Sequence, residues 1–347
     1  MPLSIPYPSW LKPEVIPGLP VRWYGVMYIV AFGITYLMYR RQIKERNFPM
    51  NDDDLSSMFF WIILSLILGA RIFHSVIYET KDLVKPWLIF WPFRDGRFTG
   101  FQGMSYHGGV IGFLTAMFIF SYKKKYDVRE IGDMFAAGVP LGYTFGRIGN
   151  FINAELSGRI TASPIGMVFP NNGIYPTDRD YGIIRDGAAA MGLDVTTGFG
   201  GVLNLPRHPS QLYEALFEGI VLWAIIWLLR KHKPFKGFLT AVYISGYGLF
   251  RFFIEYFREP DAALGYRLQF VKNDLPPALS HPLLCFSTGQ ILCFGMILLG
   301  IAGAIIASRM ENSEGNYFYR EENVKVKNDA ERAAKRNKRR KSRKKLR

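Results

Sequence analysis

The sequence predicts an all-α, polytopic integral membrane protein of about seven transmembrane helices with a small irregular extracytoplasmic head. Three observations predict it. Apolar stretches recur along the chain, each near the ~20 residues that a helix needs to cross a bilayer core. Clusters of lysine and arginine fall between alternate stretches, the distribution expected when positively charged loops stay on one side of the membrane. One long connection, from about Gly158 to Pro209, is instead rich in Gly, Pro, Asn and Asp. The composition agrees: 49% of residues are hydrophobic and 16% aromatic, yet 20% are charged, and such a mixture works when the charges are segregated from the apolar stretches.

The expected spans run from Val21 to Tyr39, Leu55 to Tyr78, His107 to Tyr122, Ile131 to Phe151, Leu212 to Leu229, Phe238 to Phe257 and Thr288 to Ser308. The first is followed by basic residues with no small-residue cleavage site behind it, so it reads as a retained span and not as a removed signal peptide. Gly108 and Gly112 give the third a small-xxx-small face for close helix contact. The fourth is rich in glycine and contains Pro140, residues better tolerated in membrane helices than in soluble ones; a buried or re-entrant helix is the alternative there. The basic clusters Arg40 to Arg46, Lys123 to Lys125 and Arg230 to Lys236 follow spans one, three and five, and the tail follows span seven. That pattern needs an odd number of spans and puts the N-terminus outside and the C-terminus in the cytoplasm. Residues 1–308 are thus the expected membrane domain, with 158–209 its head and 309–347 a basic, disordered tail.

The net charge of +15 sits in these clusters and in the run from Lys325 to Arg347, which favours anionic lipid headgroups as partners over nucleic acid. Cys285 and Cys293, eight residues apart and so roughly 12 Å apart if on one helix, are not expected to form a disulfide.

Ionisable side chains at membrane depth cost from ~3 kcal/mol upward and are normally kept for pairing or for function. On span six, Tyr247, Arg251, Glu255 and Arg258 follow helical spacing and form one polar stripe. An Arg251–Glu255 pair could merely neutralise itself, but Arg258 one turn on leaves net positive charge, which a phosphate would match. At the outer end of span four, Gly146-Arg147-Ile148-Gly149-Asn150-Phe151-Ile152-Asn153-Ala154-Glu155-Leu156-Ser157-Gly158-Arg159 offers more amides and charges than a helix end uses. Ser105-Tyr106-His107-Gly108-Gly109 opens span three with an imidazole able to exchange protons near neutral pH, though a lone interfacial histidine is more often structural. Missing are a Walker loop, a Gly-x-Ser-x-Gly elbow, a His-Glu-x-x-His motif, metal-ligand spacings of Cys and His, and the aspartate set of metal-dependent phosphatidyltransferases. No metal or cofactor is expected; a metal-free reaction on a phospholipid remains.

Trp23-Tyr24-Gly25, His107-Gly108-Gly109, the run from Gly146 to Arg159, His208-Pro209-Ser210-Gln211-Leu212-Tyr213-Glu214, and the stretch from Tyr247 to Asp261 together resemble the prolipoprotein diacylglyceryl transferases, over about residues 20–308. The tail beyond Arg309 is longer than that family leads one to expect. The resemblance implies a multi-pass enzyme of the bacterial cytoplasmic (inner) membrane. It implies transfer of the diacylglyceryl group of phosphatidylglycerol to the lipobox cysteine of preprolipoproteins, with release of glycerol phosphate. It further implies Arg147 and Arg251 on the headgroup phosphate, with Tyr24, Asn150, Asn153, Glu155, Gly158 and Arg258 completing the headgroup site. His107 is the first candidate for the thiol's base, Glu255 the second, and Tyr247 positions either. A non-catalytic lipid-binding scaffold and a seven-span transporter are the competing classes; the scaffold could use the same arginines without any base, and the transporter would be expected to show repeat symmetry, of which there is none.

Overall fold

The computed structural model describes residues 4–16, 18, 21–77, 86–91, 93–94, 97–98, 103–259, 265–273 and 275–310. The chain is mostly helical. Helix α1 (Trp23–Arg46) ends at Asn47, whose left-handed backbone (φ 51°) turns its N–H back onto Ile43. Helix α2 (Asp52–Ile77) opens with three aspartates, which suit a helix N-terminus. Helix α3 (Tyr106–Lys124) starts under Ser105, whose side chain accepts from the Gly108 N–H, and it ends at Lys125 (φ 57°). The small face expected on span three is where α2 and α3 meet. A Cβ on Gly112 would lie 2.0 Å from the Ser65 carbonyl oxygen, and one on Gly108 2.3 Å from that of Gly69, so only glycine permits this approach.

The expected fourth span is two helices, α4 (Val128–Ala136) and α5 (Val139–Ile152). Pro140 is the cause: it has no N–H to give Ala136, so the helix stops and restarts with the proline in its first turn. Within 158–209 lie α6 (Tyr181–Ala190) and a core of Ile160, Ile174, Ile184, Leu203 and Leu205, completed by Ala278. Ile5–Pro6 pairs in parallel with Met167–Val168 beside it.

The fifth expected span is continuous but mixed: α7 (Ser210–Glu214), a π-helical turn (Ala215–Val221) and α8 (Leu222–Leu229). Helix α9 (Phe238–Ile254) is shorter than expected. Beyond it the chain turns, Arg159 N–H takes the Phe257 carbonyl at 2.9 Å, and Arg258 forms a backbone bridge with Gly158. Arg258 therefore lies off the helix, not on a continued stripe, because pairing with the head captures the backbone. Helix α10 (Thr288–Arg309) begins with a capping box between Ser287 and Gln290 and packs along α9. Cys285 and Cys293 are free and buried.

Among the described residues three helices are long and apolar enough to cross a membrane, Asp52–Ile77, Ser210–Leu229 and Thr288–Arg309, and α9 is a shorter apolar helix. Helix α10 leaves Leu292, Leu298, Leu299, Ile305 and Ile306 exposed, a surface suited to lipid and not to water. The basic clusters gather at one end. Arg46 pairs with Glu130, Lys233 with Glu130 (2.7 Å) and Asp133 (3.0 Å), Arg230 with Glu45 (3.2 Å) and Lys124 with Asp54 (2.7 Å). Asp133 also accepts the Gly237 and Thr240 N–H groups at 2.9 Å each, capping α9. The expected tail, from residue 311 onward, and Asp261 lie outside the described residues.

Candidate anion-binding site

At the other ends of α5 and α9, three arginines surround one carboxylate. Glu214 lies 2.7 Å from Arg147 Nε, 3.0 Å from Arg251 Nη1 and 2.6 Å from Arg258 Nη1. Glu255 lies 3.3 Å from Arg251 and 3.6 Å from Arg258, and it accepts from the Ser287 hydroxyl at 3.0 Å. Glu218, one turn beyond Glu214 on the π-helical stretch, accepts from the Tyr143 hydroxyl at 2.5 Å and sits 3.8 Å from Arg251. Tyr143 in turn receives Arg147 Nε at 2.6 Å and lies beneath its guanidinium, 4.8 Å from ring centre to Cζ. The burial is asymmetric. Glu214 and Glu218 side chains are fully buried, whereas the three arginines keep 16–18% of their side-chain surface open.

This arrangement corrects one sequence expectation. Arg251 and Arg258 do not leave an unmatched positive charge on span six: three guanidiniums face three carboxylates, because charge in a poorly solvated site needs a partner. Within these ion pairs the geometry is loose: Arg251 Nη1, Arg258 Nε, Glu218 Oε1 and Glu255 Oε2 face one another's charges without meeting hydrogen-bond geometry among the described residues. What the cluster keeps available is the open edge of each guanidinium, which can offer N–H groups to the oxygens of an anion.

The other expected residues are distributed around this cluster. Arg147 Nη1 donates to Asn150 Oδ1 at 3.3 Å, and Asn150 Nδ2 donates to Glu155 at 2.8 Å, so the motif at the end of α5 forms one relay. Asn153 reaches the same Glu155 oxygen at 3.4 Å. The Tyr24 hydroxyl bonds to that of Tyr28 at 2.9 Å, and its ring lies 3.3 Å from where a Cβ on Gly149 would stand. Tyr247 packs edge-on against Tyr143 at 5.9 Å. Gly158 has a packing position: a Cβ there would meet the Phe257 carbonyl at 2.1 Å. His107 is exposed at the start of α3, its ring 5.9 Å from that of Tyr106, and no hydrogen bond joins it to the arginines among the described residues. Arg159 is buried in the head, where it donates to the Tyr256 carbonyl (3.1 Å), the Tyr266 hydroxyl (2.9 Å) and the Pro277 carbonyl, with His281 Nδ1 at 2.7 Å.

Sequence reading left Glu214 unassigned within its motif and passed over Glu218 and Tyr143. The available signal was two carboxylates four residues apart on a span otherwise apolar, a like-charge pair that is unfavourable without cations nearby.

Fold and site together define a membrane-helical protein with a partly open cluster of three arginines and three carboxylates. The sequence profile of the family described as prolipoprotein diacylglyceryl transferase matches residues 14–306. The phosphatidylglycerol–prolipoprotein diacylglyceryl transferase of Treponema denticola is 52% identical over 336 residues, covering 90% of this chain and 98% of that one. Its counterparts from Treponema pallidum and Chlorobaculum tepidum are 49% and 40% identical, each covering 88% of this chain and 96% and 94% of their own. The chain belongs to the prolipoprotein diacylglyceryl transferase family.

Proposed function

We propose that the chain transfers the diacylglyceryl group of phosphatidylglycerol to the lipobox cysteine of a preprolipoprotein. A carbon–sulfur bond forms, the bond between the glyceryl carbon and a phosphate oxygen breaks, glycerol phosphate leaves, and the thiol proton goes to a base. The observation that carries this is the set of three guanidiniums, each partly open and backed by carboxylates that hold them in place. Such a set fits a phosphate on which charge grows as the carbon–oxygen bond breaks. Arg147 and Arg251 grip the headgroup phosphate, Arg258 completes the anion site, and Asn150, Asn153 and Glu155 orient the remainder of the head. Tyr24 and Gly158 shape its surroundings. His107, exposed at the edge of α3, accepts the thiol proton; Glu255 is the poorer acceptor because Arg251 and Arg258 stabilise its anion. Tyr247 packs the site from α9.

The same reading gives seven crossings in the bacterial cytoplasmic membrane, with the N-terminus and head outside, the C-terminus inside, and the basic tail against anionic lipid. It is supported by the collection of the Arg46, Lys124 and Lys233 ends at the pole opposite the arginine site.

The test is transfer from acyl-labelled phosphatidylglycerol to a lipobox peptide in reconstituted membranes. Label should reach a cysteine peptide and not its serine version, and Arg147→Ala and Arg251→Ala should each lower transfer by 10²-fold or more while still folding, the scale of losing a charge-stabilising donor. Binding of the lipid without any transfer by folded wild-type protein would leave the scaffold reading.

A further inference from the structure

Beside the arginine cluster, on its head side, lies an open polar cleft of about 390 Å³ bounded in part by Glu14, Arg22, Asn153, Glu155, Asn171 and Asn172. It is one relay away from the arginines, since Asn150 touches Arg147 on one side and Glu155 on the other. Ala154 (φ 52°) and Leu156 (φ 59°), which flank Glu155, both hold left-handed backbone that non-glycine residues rarely adopt. Two strained residues fix the carboxylate in the cleft wall. Two further lining amides are tied to the segment that carries Glu155: Asn171 Nδ2 donates to the Asn153 carbonyl at 3.3 Å, and Asn172 Nδ2 donates to the Ser157 hydroxyl. Asn153 Oδ1 is buried without a hydrogen bond among the described residues.

These walls offer acceptors in Glu14, Glu155 and the Asn153 amide oxygen and donors in Arg22 and the asparagine amides. A hydroxyl is the group that uses both, because it donates once and accepts twice. A further phosphate would meet two carboxylates, Glu14 and Glu155, against the single arginine Arg22, and an alkyl end would leave the Asn153 oxygen unmatched. We propose that this cleft receives the distal vicinal diol of the headgroup, with Asn171 and Asn172 as specificity-determining residues, so that the protein selects a phosphate ester of glycerol over one of a simple alcohol. The proposal rests on the phosphatidylglycerol reading above and deepens it: the arginines take the phosphate and the cleft takes the glycerol.

Competition measures the selection directly. Transfer of label from phosphatidylglycerol is followed in vesicles while unlabelled phosphatidylglycerol or unlabelled phosphatidylethanol, matched in acyl chains and lacking the diol, is added. In the wild type the diol lipid should compete at about a tenfold lower mole fraction, the worth of one or two net hydrogen bonds. Asn171→Phe, which fills the cleft from an exposed position, should bring the two competitors to within about twofold of each other by weakening only phosphatidylglycerol. Asn171→Ala removes the amide without added bulk, should narrow the preference less, and keeps the measurement readable if phenylalanine disturbs the wall. Equal competition in the wild type, or an unchanged preference in both variants, overturns the diol assignment. Absence of any label transfer by the wild type would instead strike the transferase reading itself.

Discussion

Glu214 holds three guanidiniums at once, so its charge and not its shape carries the arrangement. Glu214→Gln should destabilise the protein by about 3 kcal/mol, because removing one partner leaves buried cations unmatched, and it should raise the KM for phosphatidylglycerol as the arginines splay. Thermal unfolding in detergent and transfer kinetics read the two effects separately. His107 invites the opposite pattern. If its imidazole takes the thiol proton, His107→Gln should lower kcat by about 10²-fold or more with little change in the KM for lipid or in stability, the signature of a lost base at an exposed position. The arginines of this site were legible in the sequence, since a guanidinium on an apolar helix is conspicuous. Their countercharges were less so: Glu214 and Glu218 come from a different span, and local spacing says nothing about which spans face each other.

At the scale of elements, the sequence was most informative where one residue type decides the outcome. Gly108 and Gly112 announced a close helix contact on span three, and the structure makes it with α2. It was least informative where a distant partner intervenes. Arg258 fits a helical stripe by number, yet the backbone of Gly158 and Arg159 takes it off the helix. Pro140 left two readings of span four open, and the structure divides that stretch into α4 and α5. The head has a consequence for pH. Burial, and then the positive charge of Arg159, hold His281 and His208 below the usual imidazole range. The folded head therefore keeps both neutral where the unfolded chain would bind protons, so their contribution is fully present above pH ~6.5 and is lost as pH falls from there toward the depressed folded values. Hydrogen-exchange protection across residues 158–209 and 275–287, taken relative to the intrinsic exchange rate at each pH, should fall from pH 7 to pH 5, and His281→Gln should flatten that response.

For the whole molecule, the prediction concerns sidedness. The basic ends gather at the pole opposite the arginine site, and Phe199 is fully exposed on the head. A membrane-impermeant maleimide applied to intact cells should label Phe199→Cys and leave Lys123→Cys unlabelled until the membrane is opened; the native cysteines, both buried, should give little background. The reverse result would invert the orientation. The paired charges of the site also bear on turnover. Three bare arginines at a membrane surface would seize any phosphate and hold it, so that a departing dianion would set the pace of each cycle. With three carboxylates already standing behind them, the arginines gain less from an anion's arrival and lose less at its departure, so if the proposed headgroup site is this one, the spent headgroup would leave a cluster that is electrically at rest without it.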